Sequence, residues 1–292
     1  MFTIVCTLLA LMAFAANSVL CRLALGQESI DPASFSTIRL CAGAATLVLI
    51  QGWRTGAWSR PAGSWFSASM LFLYAIPFSF AYVQLEAGSG ALILFGAVQL
   101  TMIILALMRG ERPHVWQWMG FGLAIGGLIY FLSPGLSAPS PTGAALMAIS
   151  GCAWGVYSLL GKGHANPLER TAGNFLRALP FTLVVSWWML PDLKIELRGF
   201  ILAVASGAIA SGIGYVLWYQ ALQKLTATRA AVVQLSVPVI AAAGGVLFLS
   251  ETMSLRLVVA GVVVLGGVGL ALAARKPTDT LQGKNSGEPD RI

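Results

Sequence analysis

Long stretches of this chain pass without a charged side chain, among them 1–21, 61–85, 87–108, 199–223 and 230–250. Each is long enough to supply the roughly 20 apolar residues that carry a helix across a bilayer. Weaker or charge-interrupted apolar runs complete a series of ten spans at 3–25, 32–52, 65–85, 87–108, 114–132, 141–162, 170–190, 199–221, 227–249 and 255–274. The links between them are short, so no soluble domain is inserted. Only 275–292, RKPTDTLQGKNSGEPDRI, is polar throughout, and it reads as a disordered tail. The pattern predicts an all-α integral membrane protein with ten transmembrane helices.

Composition agrees: 57% of the residues are hydrophobic and 10% charged, where a soluble domain carries about 25% charged residues. The opening MFTIVCTLLALMAFAANSVLC has an A-F-A step that resembles a secretory cleavage site, yet no Lys or Arg precedes its apolar core. It therefore reads as a retained first helix. Cys6, Cys21, Cys41 and Cys152 have neither metal nor redox spacing, so no metal and no cofactor is expected.

Positive charge sets the expected orientation. With the N-terminus in the cytoplasm, twelve Lys and Arg fall on inner links and the tail, four fall on outer links, and Arg39 and Arg177 lie within spans. This bias places both termini in the cytoplasm of a bacterial-type inner membrane. The net charge of +7 follows from that topology, and no nucleic-acid partner is implied.

The halves of the chain repeat. A shift of 140 lays Glu111 on Glu251, the Gly126–Gly127 pair on Gly266–Gly267, Arg22 on Lys162, Phe14 on Trp154 and Ala91 on Ala231. A shift of 137 lays Tyr82 on Tyr219, and 138 lays Arg39 on Arg177. Five spans per half make the second half enter the membrane from the opposite face, giving two inverted five-helix repeats, 1–136 and 137–274. Such repeats characterise secondary transporters that bind substrate near the midplane.

Five plus five helices, Ala153–Trp154–Gly155 on the sixth, QLSVPVIAAAGGVLFLSE at 234–251 and the Glu-to-Gly-Gly spacing in both halves resemble the EamA-type drug/metabolite transporter superfamily. The likeness spans about 3–274 and is strongest to the YddG-type amino-acid exporter branch. It implies a small-molecule substrate and a lipid environment, and leaves the oligomeric state open. The first half departs from the pattern: Phe14–Ala15 stands for Trp-Gly, and Val98 stands where the second half has Pro238.

All eleven acidic residues fall in links, at span ends or in the tail, and both histidines, His114 and His164, lie at span ends. Proton relays through membranes are built from embedded carboxylates or histidines. Their absence from the spans points to facilitated diffusion by alternating access, and the lack of a held acid–base pair or metal motif argues against an enzyme. Multidrug or toxic-cation efflux and a non-transporting membrane sensor or assembly subunit are the competing readings.

What the spans offer is uncharged or aromatic. The candidate substrate-binding residues are Asn17, Tyr74, Ser79, Tyr82, Gln99, Trp154, Tyr157, Asn174, Ser211, Tyr215, Trp218 and Gln234. Lipid-facing amides are costly, so Asn17, Gln99 and Gln234 point inward, to contact substrate or to bridge helices. Gly122 with Gly126 and Gly151 with Gly155 form Gly-x-x-x-Gly packing pairs. Glu111 and Glu251 read as caps of the fifth and tenth helices, and Pro238 as a mid-helix bend or hinge. Arg39 and Arg177 read as a matched pair of gate or structural residues, each about 10 Å deep at opposite faces, snorkelling and donating to backbone carbonyls.

Overall fold

The computed structural model describes residues 1–55, 62–108, 110, 114–135, 138–161, 166–225 and 233–273. Glu111, Lys162 and the tail 275–292 lie outside the described residues. The helices are α1 (Phe2–Leu25), α2 (Pro32–Thr55), α3 (Trp65–Tyr82), α4 (Ala87–Met108), α5 (Val115–Leu132), α6 (Pro141–Gly161), α7 (Pro167–Trp188), α8 (Leu197–Leu222), α9 (Ser236–Leu249) and α10 (Leu255–Ala273). Seven of them, α1 to α6 and α8, are long and apolar enough to cross a membrane. Among the described residues no strand forms, and one isolated antiparallel bridge joins Ile30 to Ile195. The chain is an all-helical membrane protein.

Local chemistry sets the helix starts. Proline opens α2, α6 and α7, where its missing N–H is one the first turn leaves unpaired anyway. Asp31 caps α2 by accepting from the Ser34 N–H at 2.8 Å, and Ser64 caps α3 by accepting from the Ser67 N–H at 3.1 Å. Pro238 follows an interruption in a helical run, with helix at 233–234, a turn at Leu235 and helix again from Ser236. The helix α9 opens at Ser236, and Pro238 stands in its first turn after a break at Leu235. A proline ring crowds the carbonyl four residues back and removes one ladder hydrogen bond, which favours a local interruption. The prolines that do sit inside helices are Pro77 in α3 and Pro180 in α7.

Packing pairs α5 with α10, α6 with α3 and α4, α1 with α8 and α9, α2 with α7 and α8, α3 with α7, and α4 with α9. Glycine permits the closest approaches. A side chain at Gly120 would meet the Gly267 carbonyl, and one at Gly151 would meet the Leu94 carbonyl. Gly155 likewise packs on Val98 and Thr101 of α4, so the Gly151–Gly155 pair packs as expected. Gly122 and Gly126 do not: nothing lies within 4 Å of where their side chains would be, and the α5 glycines facing α10 are Gly120 and Gly127. The motif's spacing was right for a helix face, but the neighbouring helix covers a different face.

Midway along α8 the hydrogen-bond ladder loosens to π-helix over Ser206–Ile213. That run is built of small residues, and Gly207 and Gly212 let it press on α2 at the Arg39 carbonyl and at Thr46. Gly207→Val should therefore cost roughly 3 kcal/mol by overpacking against backbone. Gly122→Ala, into open space, should be neutral. Melting of the two detergent-purified variants checks this, and equal melting temperatures would refute the role given to Gly207.

Candidate functional site

Aromatic side chains from both halves converge at the centre of the bundle. Trp154 of α6 lies 4.8 Å from Tyr74 of α3, 5.2 Å from Tyr215 of α8 and 6.3 Å from Phe14 of α1, and stacks at 5.6 Å on Tyr157. Phe14 also meets Tyr215 and Trp218 edge-on at 6.0 and 5.7 Å. Edge-to-face and offset arrangements at these spacings are favourable for rings. In lipid, the phenol hydroxyls need partners, and amides supply them. Asn17 Nδ2 donates to the Tyr74 hydroxyl at 3.1 Å, and Asn174 Nδ2 to the Tyr157 hydroxyl at 3.4 Å. Ser206, from the π segment, donates to Asn17 Oδ1.

Phe14, Asn17, Ser18, Tyr74, Phe78, Leu94, Phe95, Trp154, Ala210, Ser211 and Tyr215 enclose a cavity of about 20 Å³. That is space for a water molecule, so the aromatic walls are closed on one another. A second cavity of about 10 Å³ lies where Tyr157, Asn174 and Tyr219 meet Ser67, Arg170 and Thr171. Of the predicted residues, Asn17, Tyr74, Trp154, Ser211 and Tyr215 line the first, Tyr157 and Asn174 the second, and Trp218 joins through Phe14. Ser79 accepts from Ser36 at 2.7 Å and Tyr82 donates to the Ala87 carbonyl at 3.4 Å. Both bridge chain segments, and neither lines either cavity. Gln99 is buried with Nε2 unpartnered among the described residues, and Gln234 is half-buried. Neither of these borders the two cavities. Phe14, Phe78 and Ser206 escaped the sequence reading. The repeat carried a signal for Phe14 alone, by laying it on Trp154.

Arg39 overturns its expected geometry. It is 1% exposed, it does not snorkel, and its guanidinium lies 5.1 Å from the Tyr74 ring and 4.9 Å from the Phe78 ring. Its Nε and Nη1 have no hydrogen-bond partner among the described residues. Arg177 does donate to carbonyls, from Nη1 to Ala62 at 2.9 Å and to Gly173 at 3.1 Å. The two are not counterparts. Arg39 stands seven residues after the proline that opens α2, and the residue seven after the proline that opens α7 is Asn174.

At one end of the bundle a polar latch ties α1 to the end of α3 and the start of α4. Arg22 Nε pairs with Glu251 Oε1 at 3.2 Å, and its Nη1 donates to the Tyr82 and Val83 carbonyls at 2.9 and 3.0 Å. Glu251 Oε2 accepts from the Ala87 N–H at 2.9 Å. The expectation that Glu251 caps the last helix is thus corrected, for it caps α4. Ser250 adopts a left-handed backbone that returns Glu251 over Gly245, aiming the carboxylate away from α10. Burial first, and the Glu251 charge second, push the nearby Glu86 carboxyl above its ordinary value, with Arg22 opposing. Its contribution to stability is therefore complete below the ordinary carboxylate range and lost as pH rises through the raised value. At the opposite end, Asn174 Oδ1 accepts from the Ser64 N–H at 3.0 Å, so α7 grips the α2–α3 link with Arg177 and Asn174 together.

The model of a family described as the EamA-like transporter family matches residues 1–133 and again 141–273. An uncharacterized protein of Pseudomonas aeruginosa is 50% identical over 273 residues, covering 94% of this chain and 95% of its own. An uncharacterized transporter of Archaeoglobus fulgidus is 26% identical over 70% of this chain and 74% of its own. The threonine/homoserine exporter RhtA of Escherichia coli is 26% identical over 60% of each chain. A solved crystal structure with 20% identity covers 96% of this chain and 99% of its own at a TM-score of 0.66, a likeness of fold.

Proposed function

The chain belongs to the EamA-like transporter family, and from that premise we propose that it exports amino acids or related small metabolites across the inner membrane by alternating access, without covalent chemistry. The observation that carries this reading is the closed aromatic cavity between α1, α3, α6 and α8, walled by rings and served by amide and hydroxyl groups. Apolar walls with a few placed polar groups suit a small amphiphile. The partial likeness to a threonine/homoserine exporter supports the substrate class.

The proposed architecture is two inverted five-helix repeats with both termini cytoplasmic, followed by the tail. The double family match supports it, as does the helix pairing. Exchanging α1 with α6, α2 with α7, α3 with α8, α4 with α9 and α5 with α10 maps α3–α6 onto α8–α1, α4–α6 onto α9–α1 and α3–α7 onto α8–α2. The same exchange leaves α5–α10, α2–α7 and α4–α9 in place. The end contacts follow it too. The α7–α8 link bonds to the segment opening α2 through Asp31, and the α2–α3 link bonds to α7. Alternating access is then rocking of one half against the other.

No carboxylate or histidine lines the described cavities, which supports facilitated diffusion driven by the substrate gradient. Purified protein in liposomes should exchange radiolabelled L-threonine down its gradient, at a rate that an uncoupler leaves unchanged. Exchange that appears only with an imposed proton gradient would refute the uncoupled mechanism, and liposomes tight to every amino acid would refute the substrate class.

A further inference from the structure

We propose that Arg39 is the carboxylate-recognition group of the central cavity, so that the transported solute is a monocarboxylate whose remainder lies among the aromatic rings. This rests on the transport reading above and specifies its substrate.

The argument begins with charge. Arg39 is 1% exposed, and two of its three guanidinium nitrogens meet no hydrogen-bond partner among the described residues. No Asp or Glu pairs with it: among the described residues the one buried-side ion pair joins Arg22 to Glu251. An arginine cannot shed its proton to escape the penalty, and an uncompensated buried charge is costly. The Tyr74 and Phe78 faces offset part of that cost by cation–π attraction. They do not fill the donors. Both rings also line the central cavity, which Arg39 itself does not border, so the guanidinium stands one ring layer from it.

Depth agrees. Arg39 lies seven residues into α2, and Asn17 and Tyr74 lie eight residues from the ends of α1 and α3 at the same face of the bundle. All three therefore stand about 10–12 Å below that face. The π segment of α8 crosses α2 at the Arg39 carbonyl and turns Ser211 to the cavity. Widened turns of this kind occur preferentially at functional sites. A lone arginine suits a single carboxylate; a phosphoryl dianion calls for several cations in one place, and Arg177 is engaged at the α2–α3 link instead. In an amino acid the ammonium group would face the Trp154 and Tyr215 rings, a favourable partner for a cation.

The test separates this assignment from transport itself. Thermal shifts of the detergent-purified full chain are measured with L-threonine, with butyrate, and with L-threoninol, in which an alcohol replaces the carboxylate. Threonine and butyrate should stabilise the wild type and threoninol should not. Arg39→Gln should weaken threonine binding about ten- to a hundredfold, the worth of a charge-assisted contact, and Arg39→Lys by less. Without ligand, Arg39→Gln should melt at or above the wild-type temperature, because it removes an uncompensated charge; a purely structural arginine would give the reverse. The proposal is overturned if threoninol stabilises as well as threonine, if no carboxylate stabilises the wild type, or if Arg39→Gln keeps wild-type affinity. Should the glutamine variant not fold, the threonine–threoninol comparison in the wild type and in Arg39→Lys decides. Carboxylate binding that depends on Arg39 in a protein that exchanges no amino acid would uphold Arg39 and refute the transport reading. Exchange of threonine and threoninol at equal rates would do the opposite.

Discussion

Trp154→Ala is expected to lower L-threonine exchange about thirtyfold in a protein that still folds, while Trp154→Phe keeps most of it. Trp154 meets Phe14, Tyr74, Tyr157 and Tyr215, side chains carried by α1, α3, α6 and α8. Ring pairs of this geometry contribute about 0.5–1.5 kcal/mol each. Four at the low end of that range amount to about 2 kcal/mol, a factor of about thirty. The loss falls on function because, among the described residues, the indole is the one side chain touching rings on all these helices at the cavity wall. Phenylalanine restores a ring at the same place and so most of the contacts. Initial rates across a range of threonine concentrations should show the change chiefly in KM. An alanine variant that elutes as a folded protein and exchanges threonine at the wild-type rate would remove Trp154 from the site.

The second large effect concerns the latch. Glu251→Gln should shift the protein toward a state open at the Arg22 end, the end proposed to face outward, by about tenfold or more. The pair is only 22% and 12% exposed, which lifts it above the small value of a surface ion pair. Losing the charge also weakens the cap on the Ala87 N–H, and caps are worth about 1 kcal/mol. Together these reach the roughly 1.4 kcal/mol that moves an equilibrium tenfold. Ser18 offers the readout, one helical turn from Arg22 and on the cavity wall. With Cys6, Cys21, Cys41 and Cys152 replaced by alanine, Ser18→Cys should react slowly with a membrane-impermeant maleimide in the parent and about tenfold faster with Glu251→Gln added. The charge-reversed pair Arg22→Glu with Glu251→Arg should recover part of the protection. Equal reactivity in all three proteins would mean the ion pair does not hold that end shut.

Apolar run length settles much of this protein. Runs of about 20 uncharged residues have one stable solution in lipid, because a helix alone satisfies its own backbone. The all-helical character follows from that, and seven of the described helices are long and apolar enough to cross a membrane. In the ninth span the described helix is interrupted at Leu235, three residues before Pro238, a break that run length does not register. Trp154 and Asn17 were legible as inward-facing because an indole away from span ends and a mid-span amide are both expensive against hydrocarbon.

Which face of each helix looks inward was not legible, and the reason is the solvent. In water an apolar stripe marks the buried face, whereas in a bilayer the lipid face is as apolar as the core. Gly122 and Gly126 therefore had the same standing as Gly120 and Gly127, and only the position of α10 told them apart. Arg39 and Arg177 both stand in apolar runs at similar expected depth; tertiary packing alone aimed one at a ring cluster and the other at a loop carbonyl. Glu251 had the position of a helix cap, and one left-handed residue gave it a different helix to cap. Chain pattern alone determined the medium, the helices and the kind of chemistry available between them. The tertiary structure decided which of those side chains meet, because contacts across a helical bundle depend on rotation about each axis, and an apolar helix in lipid carries almost no record of that rotation.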